Sequence, residues 1–130
     1  MPDPSKICQS SASNAEAMNQ TAARVAPEVD EFALAGLNTA PCRLVRPLRV
    51  ATSPAALECK VVDLLHLRDL EGHAVDRYLT IGQVVGVHID DAYLVDGSFD
   101  TARAVPLARC GYRDFASVTS VFAMLRPGES

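Results

Sequence analysis

Between Ala56 and Ile89 the chain carries two stretches of alternating apolar and polar residues separated by a polar turn, and this feature most restricts its fold. A period of two sends successive side chains to opposite faces, which suits a strand and not a helix. In the first stretch Leu57, Cys59 and Val61 share one face while Glu58 and Lys60 share the other, as in a half-buried antiparallel strand. The segment from Arg68 to Asp76 is polar and holds Gly72, so it reads as a long turn. In the second stretch, from Arg77 to Ile89, Leu79, Ile81, Val85, Val87 and Ile89 point one way. Tyr78, Thr80, Gly82, Val84, Gly86 and His88 point the other, and the two glycines leave that face bare. The two strands make a hairpin.

Local signals place shorter elements around it. Met1 to Ser13 is polar and aperiodic and is expected to be a disordered lead-in. Ser13 and Glu16 have the spacing of a capping box, and Ala15, Met18, Ala22 and Val25 recur at helical intervals until Pro27. A second helical turn is predicted from Glu28 to Ala35, with Gly36 as its C-cap. A loop with Pro41 and Pro47 follows. Beyond the hairpin, Asp90-Asp91 makes a turn and Ala92 to Val95 a short strand ending at Asp96-Gly97. Asp100 caps a helical turn that stops at Pro106. A glycine-containing loop, Arg109 to Tyr112, then leads into a final strand or helix from Ser117 to Leu125. Several strands with few, short helices point to a mostly β, barrel-like or α+β fold.

Composition limits the function classes. The 130 residues carry a net charge of -4 and are 48% hydrophobic, as in one ordinary globular domain. The arginines are scattered among apolar residues and outweighed by acids, which argues against nucleic acid as a partner. No apolar run is long enough to span a bilayer and the N-terminus lacks the pattern of a signal peptide, so no membrane is expected and the location is read as cytoplasmic. Cys8, Cys42, Cys59 and Cys110 are far apart, form no CxxC pair, and with His66, His73 and His88 match no metal-binding spacing; no metal site is expected.

No hydrolase elbow, phosphate loop or dinucleotide fingerprint occurs, so nucleophilic catalysis has no candidate. The Gly82/Gly86 pair either lets a ligand ring approach or relieves the bend of a barrel strand, the latter being the commoner use. His88 either hydrogen-bonds the edge of a nicotinamide or flavin or is an exposed histidine at a strand end. Arg109 and Gly111 offer a cation and open backbone amides suited to a phosphate or an electron-rich ring, or are an ordinary surface turn. The acids Glu28, Asp30 and Glu31 sit at a helix N-terminus, where they stabilise the dipole without doing chemistry.

Six strings in order resemble the flavin reductase-like family of FMN-binding split barrels: AMNQT from Ala17, VDEFALAGL from Val29, SPAALEC from Ser53, IGQVVGVHIDD from Ile81, the DG turn with Asp100-Thr101, and ARCGYRDF from Ala108, closing on Arg126-Pro127. The resemblance implies a partial split β-barrel with short helices over residues 14–127, with 128–130 as a tail. It implies FMN as cofactor, NADH or NADPH as reductant, hydride transfer to the flavin, a homodimer, and sometimes a partner monooxygenase. Carried over to this chain, it makes His88, Arg109, Gly111 and Phe115 the cofactor-binding positions. Two departures stand out. The family's preceding N-terminal half, with the opening strands and most flavin contacts, has no counterpart here, which puts activity in doubt and leaves a second reading: a non-catalytic remnant serving as a binding or dimerisation module. The other departure is Phe115, where the family's motif usually ends in Tyr. A sheet lacking its first strands would leave open edges and an uncovered apolar face, so it should pair with another chain or be marginally stable.

Overall fold

The computed structural model describes residues 6–8 and 10–129 of the chain. Its backbone is the hairpin read from the sequence, longer than expected: β4, Ala55–Arg68, pairs antiparallel with β5, Ala74–Ile89, across the tight turn at 69–73. Asp69 builds that turn by accepting from the His73 N–H at 2.7 Å. At the far end of the hairpin His66 and Tyr78, directly opposite in register, stack with ring centroids 4.4 Å apart. Three register shifts interrupt β4, between Glu58 and Cys59, between Val61 and Asp63, and between His66 and Arg68.

The other elements attach to the Ala55 end. A strand β1, Lys6–Cys8, pairs antiparallel with β4, completing a three-stranded sheet of order β1-β4-β5. The lead-in expected to be disordered therefore supplies a strand, and Ser11, Ala12 and Ser13 are also ordered, the first in a β-bridge to Pro106 and the others in a 3-10 turn; residues 1–5 and 9 of that expectation lie outside the described residues. A 3-10 turn, Ala12–Asn14, runs into α1, Ala15–Gln20, which is shorter than its periodicity predicts. The predicted capping box does not form, because the Ser13 hydroxyl is engaged with that of Ser11 at 2.7 Å. Helix α2, Glu31–Leu34, is capped by Asp30, whose carboxylate accepts from the Phe32 N–H at 3.0 Å, and Gly36 follows at φ 63° as the C-cap requires. Short strands β2, Thr39–Ala40, and β3, Arg49–Val50, pair with each other and bracket the loop of Pro41 and Pro47.

After β5, Asp90 caps a 3-10 turn, and β6, Leu94–Val95, pairs with β7, Ser98–Phe99, around Asp96 and Gly97, both at positive φ. Asp100 caps α3, Thr101–Ala104, by accepting from the Arg103 N–H, as its position predicts. A hairpin of β8, Leu107–Gly111, and β9, Asp114–Ser117, ends the regular structure. The strand or helix expected from Ser117 to Leu125 is absent: only Ser117 is in a strand, and Val121, Phe122, Met124 and Leu125 project into solvent.

The fold is mostly β with few, short helices, as read from the sequence, and no closed barrel forms among the described residues. The core is small, with Ala56, Glu58 and Cys59 of β4 and Ala104 of α3 among its fully buried residues. Most apolar side chains of the hairpin are exposed on both faces, neighbours Val61 and Val62 among them. Among the described residues no helix is long and apolar enough to cross a membrane.

Candidate functional site

The most constrained point in the chain is Glu58, which the alternation of β4 assigns to the exposed face and which the structure buries at 1% exposure. At the register shift between Glu58 and Cys59 the extra residue is Val85 of β5, since Glu58 pairs with Gly86 and Cys59 with Val84, so β4 itself keeps its alternation. Glu58 is buried because the 43–45 loop closes over its face, and Cys59 is buried on the other. Glu58 lies opposite Gly86, and a Cβ on that glycine would meet Glu58 Cβ and Cδ at 3.4 Å. That is ordinary contact, whereas a Cβ on Gly82 would press on Cys59 Cβ at 3.2 Å. The extra residue Val85 puts the two glycines on opposite faces of β5, so the bare face expected from alternation is not formed, and each glycine faces a β4 side chain instead.

The carboxylate closes the proline loop onto the sheet. Oε1 accepts from the Arg43 N–H at 2.8 Å, and Oε2 accepts from the Leu44 and Val45 N–H groups at 2.6 and 3.1 Å. Three consecutive backbone donors converging on one carboxylate form an anion-binding nest, here occupied by the protein itself. His88, two residues beyond Gly86 and therefore diagonal to Glu58, places Nε2 against Oε1. The Arg43 N–H is the largest influence on Glu58. It outweighs burial, and with His88, Leu44 and Val45 it holds the carboxyl down at about 2 from an ordinary 4.5. The Cys42 thiol adjoins this pair: its Sγ, a Glu58 oxygen and a His88 ring nitrogen all lie within 4.8 Å of one another.

His88 is therefore not an exposed strand-end residue; its side chain is 17% exposed and its Nε2 is engaged by Glu58. The other three sequence candidates come together elsewhere, in the β8–β9 hairpin. Arg109 and Phe115 are cross-strand partners, and the guanidinium lies over the Phe115 ring at 4.8 Å from its centroid. The same guanidinium donates to the Tyr112 carbonyl. Gly111 turns the chain at φ 101°, a conformation that favours glycine, and leaves space around its backbone. The result is a flat cation-on-aromatic surface beside an open turn, chemically suited to an electron-rich ring or a phosphate. The Glu58–His88 pair, by contrast, ties the 43–45 loop to the sheet. Sequence reasoning missed Glu58 and Cys42. The one available signal was a lone acid in the otherwise apolar run Pro54 to Cys59.

Residues 6–103 match the family described as the flavin reductase like domain. The matched span starts inside the lead-in, contains Cys42, Glu58 and His88, and stops before the β8–β9 hairpin. An uncharacterised protein of Halalkalibacterium halodurans is 31% identical over 114 residues, covering 88% of this chain and 54% of the relative. Among solved structures, nitrilotriacetate monooxygenase component B from Bacillus cereus superposes with a TM-score of 0.82 at 24% identity, over 92% of this chain and 58% of that one. A Shewanella frigidimarina protein with a split barrel domain gives 0.78 at 24% identity, over 93% and 59%. Flavoredoxin of Desulfovibrio vulgaris gives 0.75 at 22% identity, over 95% and 63%. The chain thus spans little more than half the length of the relatives it matches. The structural likenesses establish its fold as that of the split-barrel proteins, and the match over most of its length establishes that the chain belongs to the flavin reductase-like domain family.

Proposed function

We propose that the chain is a flavin-binding module that takes FMN and, with NADH or NADPH, acts as a flavin reductase. The observation that carries this reading is the family match over residues 6–103. Bound flavin supplies a ring that accepts a hydride from a nicotinamide and passes the electrons on, so the protein needs no acid–base machinery of its own. Arg109 and Phe115 would hold the flavin by stacking and charge, the Gly111 turn would offer backbone donors, and Glu58 with His88 would keep the 43–45 loop fixed. Likeness to a monooxygenase component supports a partner monooxygenase as the acceptor of reduced flavin. A cytoplasmic location suits its thiols, which stay reduced there.

A second reading, a non-catalytic binding or dimerisation module, is favoured by one specific observation. The chain exposes 9943 Å², whereas a compact monomer of 13.9 kDa exposes roughly 6,700 Å². Val61, Val62, Leu64, Val84 and Val87 of the hairpin are among the exposed apolar side chains, a surface that a second copy of the chain would cover. Oxidation of NADH and NADPH by the purified chain with added FMN, compared with Arg109→Gln, separates the two readings. The reductase reading predicts turnover that saturates with FMN, and a several-fold higher FMN requirement in the variant, in line with a lost cation–π contact of about 1 kcal/mol. A folded chain without turnover leaves the module reading.

A further inference from the structure

The cluster beside the proline loop joins one sulfur, one imidazole and one carboxylate from three separate segments: the 41–48 loop, β4 and β5. We propose that Cys42, Glu58 and His88 form a binding site for a divalent transition metal, with Zn²⁺ as the best-suited ion. The donor set selects for this class. Thiolate and imidazole disfavour calcium and magnesium, while sulfur, nitrogen and oxygen together suit zinc. The geometry is close to what such an ion needs. Around a tetrahedral zinc, ligand atoms sit roughly 3.4–3.6 Å apart, and the three atoms here already lie within 4.8 Å of one another.

The surroundings favour loading over vacancy of the charges. Glu58 is oriented by the three backbone N–H groups of Arg43, Leu44 and Val45, the kind of outer support that fixes a ligating carboxylate. On loading, the hydrogen bond between Glu58 Oε1 and His88 Nε2 is replaced by one metal bond from each atom. The Nε2 proton that His88 donates in this bond leaves to solvent, and the Cys42 thiol likewise releases its proton to solvent. The neutral ligating imidazole carries its single proton on Nδ1, taken up from solvent if the ring was neutral beforehand. The thiolate and carboxylate together then neutralise the dication, so the half-buried site carries no net charge. Three protein ligands leave a fourth position for water on the side where Cys42 and His88 are only partly covered. The other mixed group, Asp69, Glu71 and His73, is exposed, and its Asp69 and His73 are bonded to each other in the hairpin turn.

The test is a titration of the chelator-stripped full chain with Zn²⁺ against a chromophoric chelator, repeated with Co²⁺ to read the thiolate-to-cobalt charge-transfer band. One ion per chain is expected, with the band present, and affinity falling as pH drops because protons compete for the ligands. Cys42→Ser should weaken binding at least about tenfold and abolish the band, while Cys110→Ser and His73→Ala leave both unchanged; circular dichroism confirms that each variant is folded. Zinc should also protect Cys42, and not Cys110, from alkylation. Absence of stoichiometric binding, or binding that survives Cys42→Ser and is lost in His73→Ala, overturns the proposal.

Discussion

At the scale of single residues, Glu58 ties the proline loop and β5 to β4 as a tertiary lock. Its carboxylate is the shared acceptor for a loop up to fifteen residues away in sequence and a histidine thirty residues away. Glu58→Gln keeps the shape but turns one acceptor oxygen into an NH₂ group facing N–H donors, so the variant should melt several degrees below the parent at neutral pH. The pH dependence has a definite sign. The folded carboxyl is held at about 2, below its ordinary 4.5, so its stabilising effect is complete above about pH 5 and is lost as pH falls toward 2. Thermal melts between pH 7 and 2 should therefore show the parent losing its advantage over Glu58→Gln across that window. Parallel curves would mean that the carboxylate is not ionised by the loop.

At the scale of elements, the glycines of β5 mark where β4 comes close. Gly82→Ala would drive a Cβ to 3.2 Å from the Cβ of buried Cys59, which cannot swing aside, and should destabilise by about 1–3 kcal/mol. Gly86→Ala meets Glu58 at ordinary contact distance and should stay within about 0.5 kcal/mol of the parent; chemical denaturation of the two variants checks the order. Elements governed by short-range rules were legible in the sequence. The hairpin follows from alternation, the β6–β7 turn from Asp96-Gly97, and α3 from its Asp100 cap. What the sequence hid depends on distant partners. Alternation assigned Glu58 to solvent because nothing local announces that the 43–45 loop closes over it. The helix from Ser13 stops at Gln20, its intended cap being engaged with Ser11. Of the candidate residues, Arg109, Gly111 and Phe115 do share one hairpin, but the link between His88 and Glu58 is created by strand register and could not be counted from spacing.

At the scale of the whole molecule, the chain displays more apolar surface than one small core can organise. Both faces of the β4–β5 hairpin are open, with Val62 at 60% and Val87 at 58% exposure, and the C-terminal stretch adds Phe122 at 86%. The surface in excess of a compact monomer, roughly 3,000 Å², is well above the roughly 800 Å² per partner of a standard interface. Sedimentation velocity should accordingly show a dimer at micromolar concentration, shifted toward monomer by Val62→Lys with Val87→Lys; a monomer at every concentration would contradict self-association. The central claim, that this chain is a flavin-binding module, is tested most directly by titrating the purified, folded chain with FMN and following flavin fluorescence at equilibrium. The account predicts saturable binding in the micromolar range, about −8 kcal/mol. A chain that is folded by circular dichroism yet leaves FMN fluorescence unchanged throughout that range would contradict it.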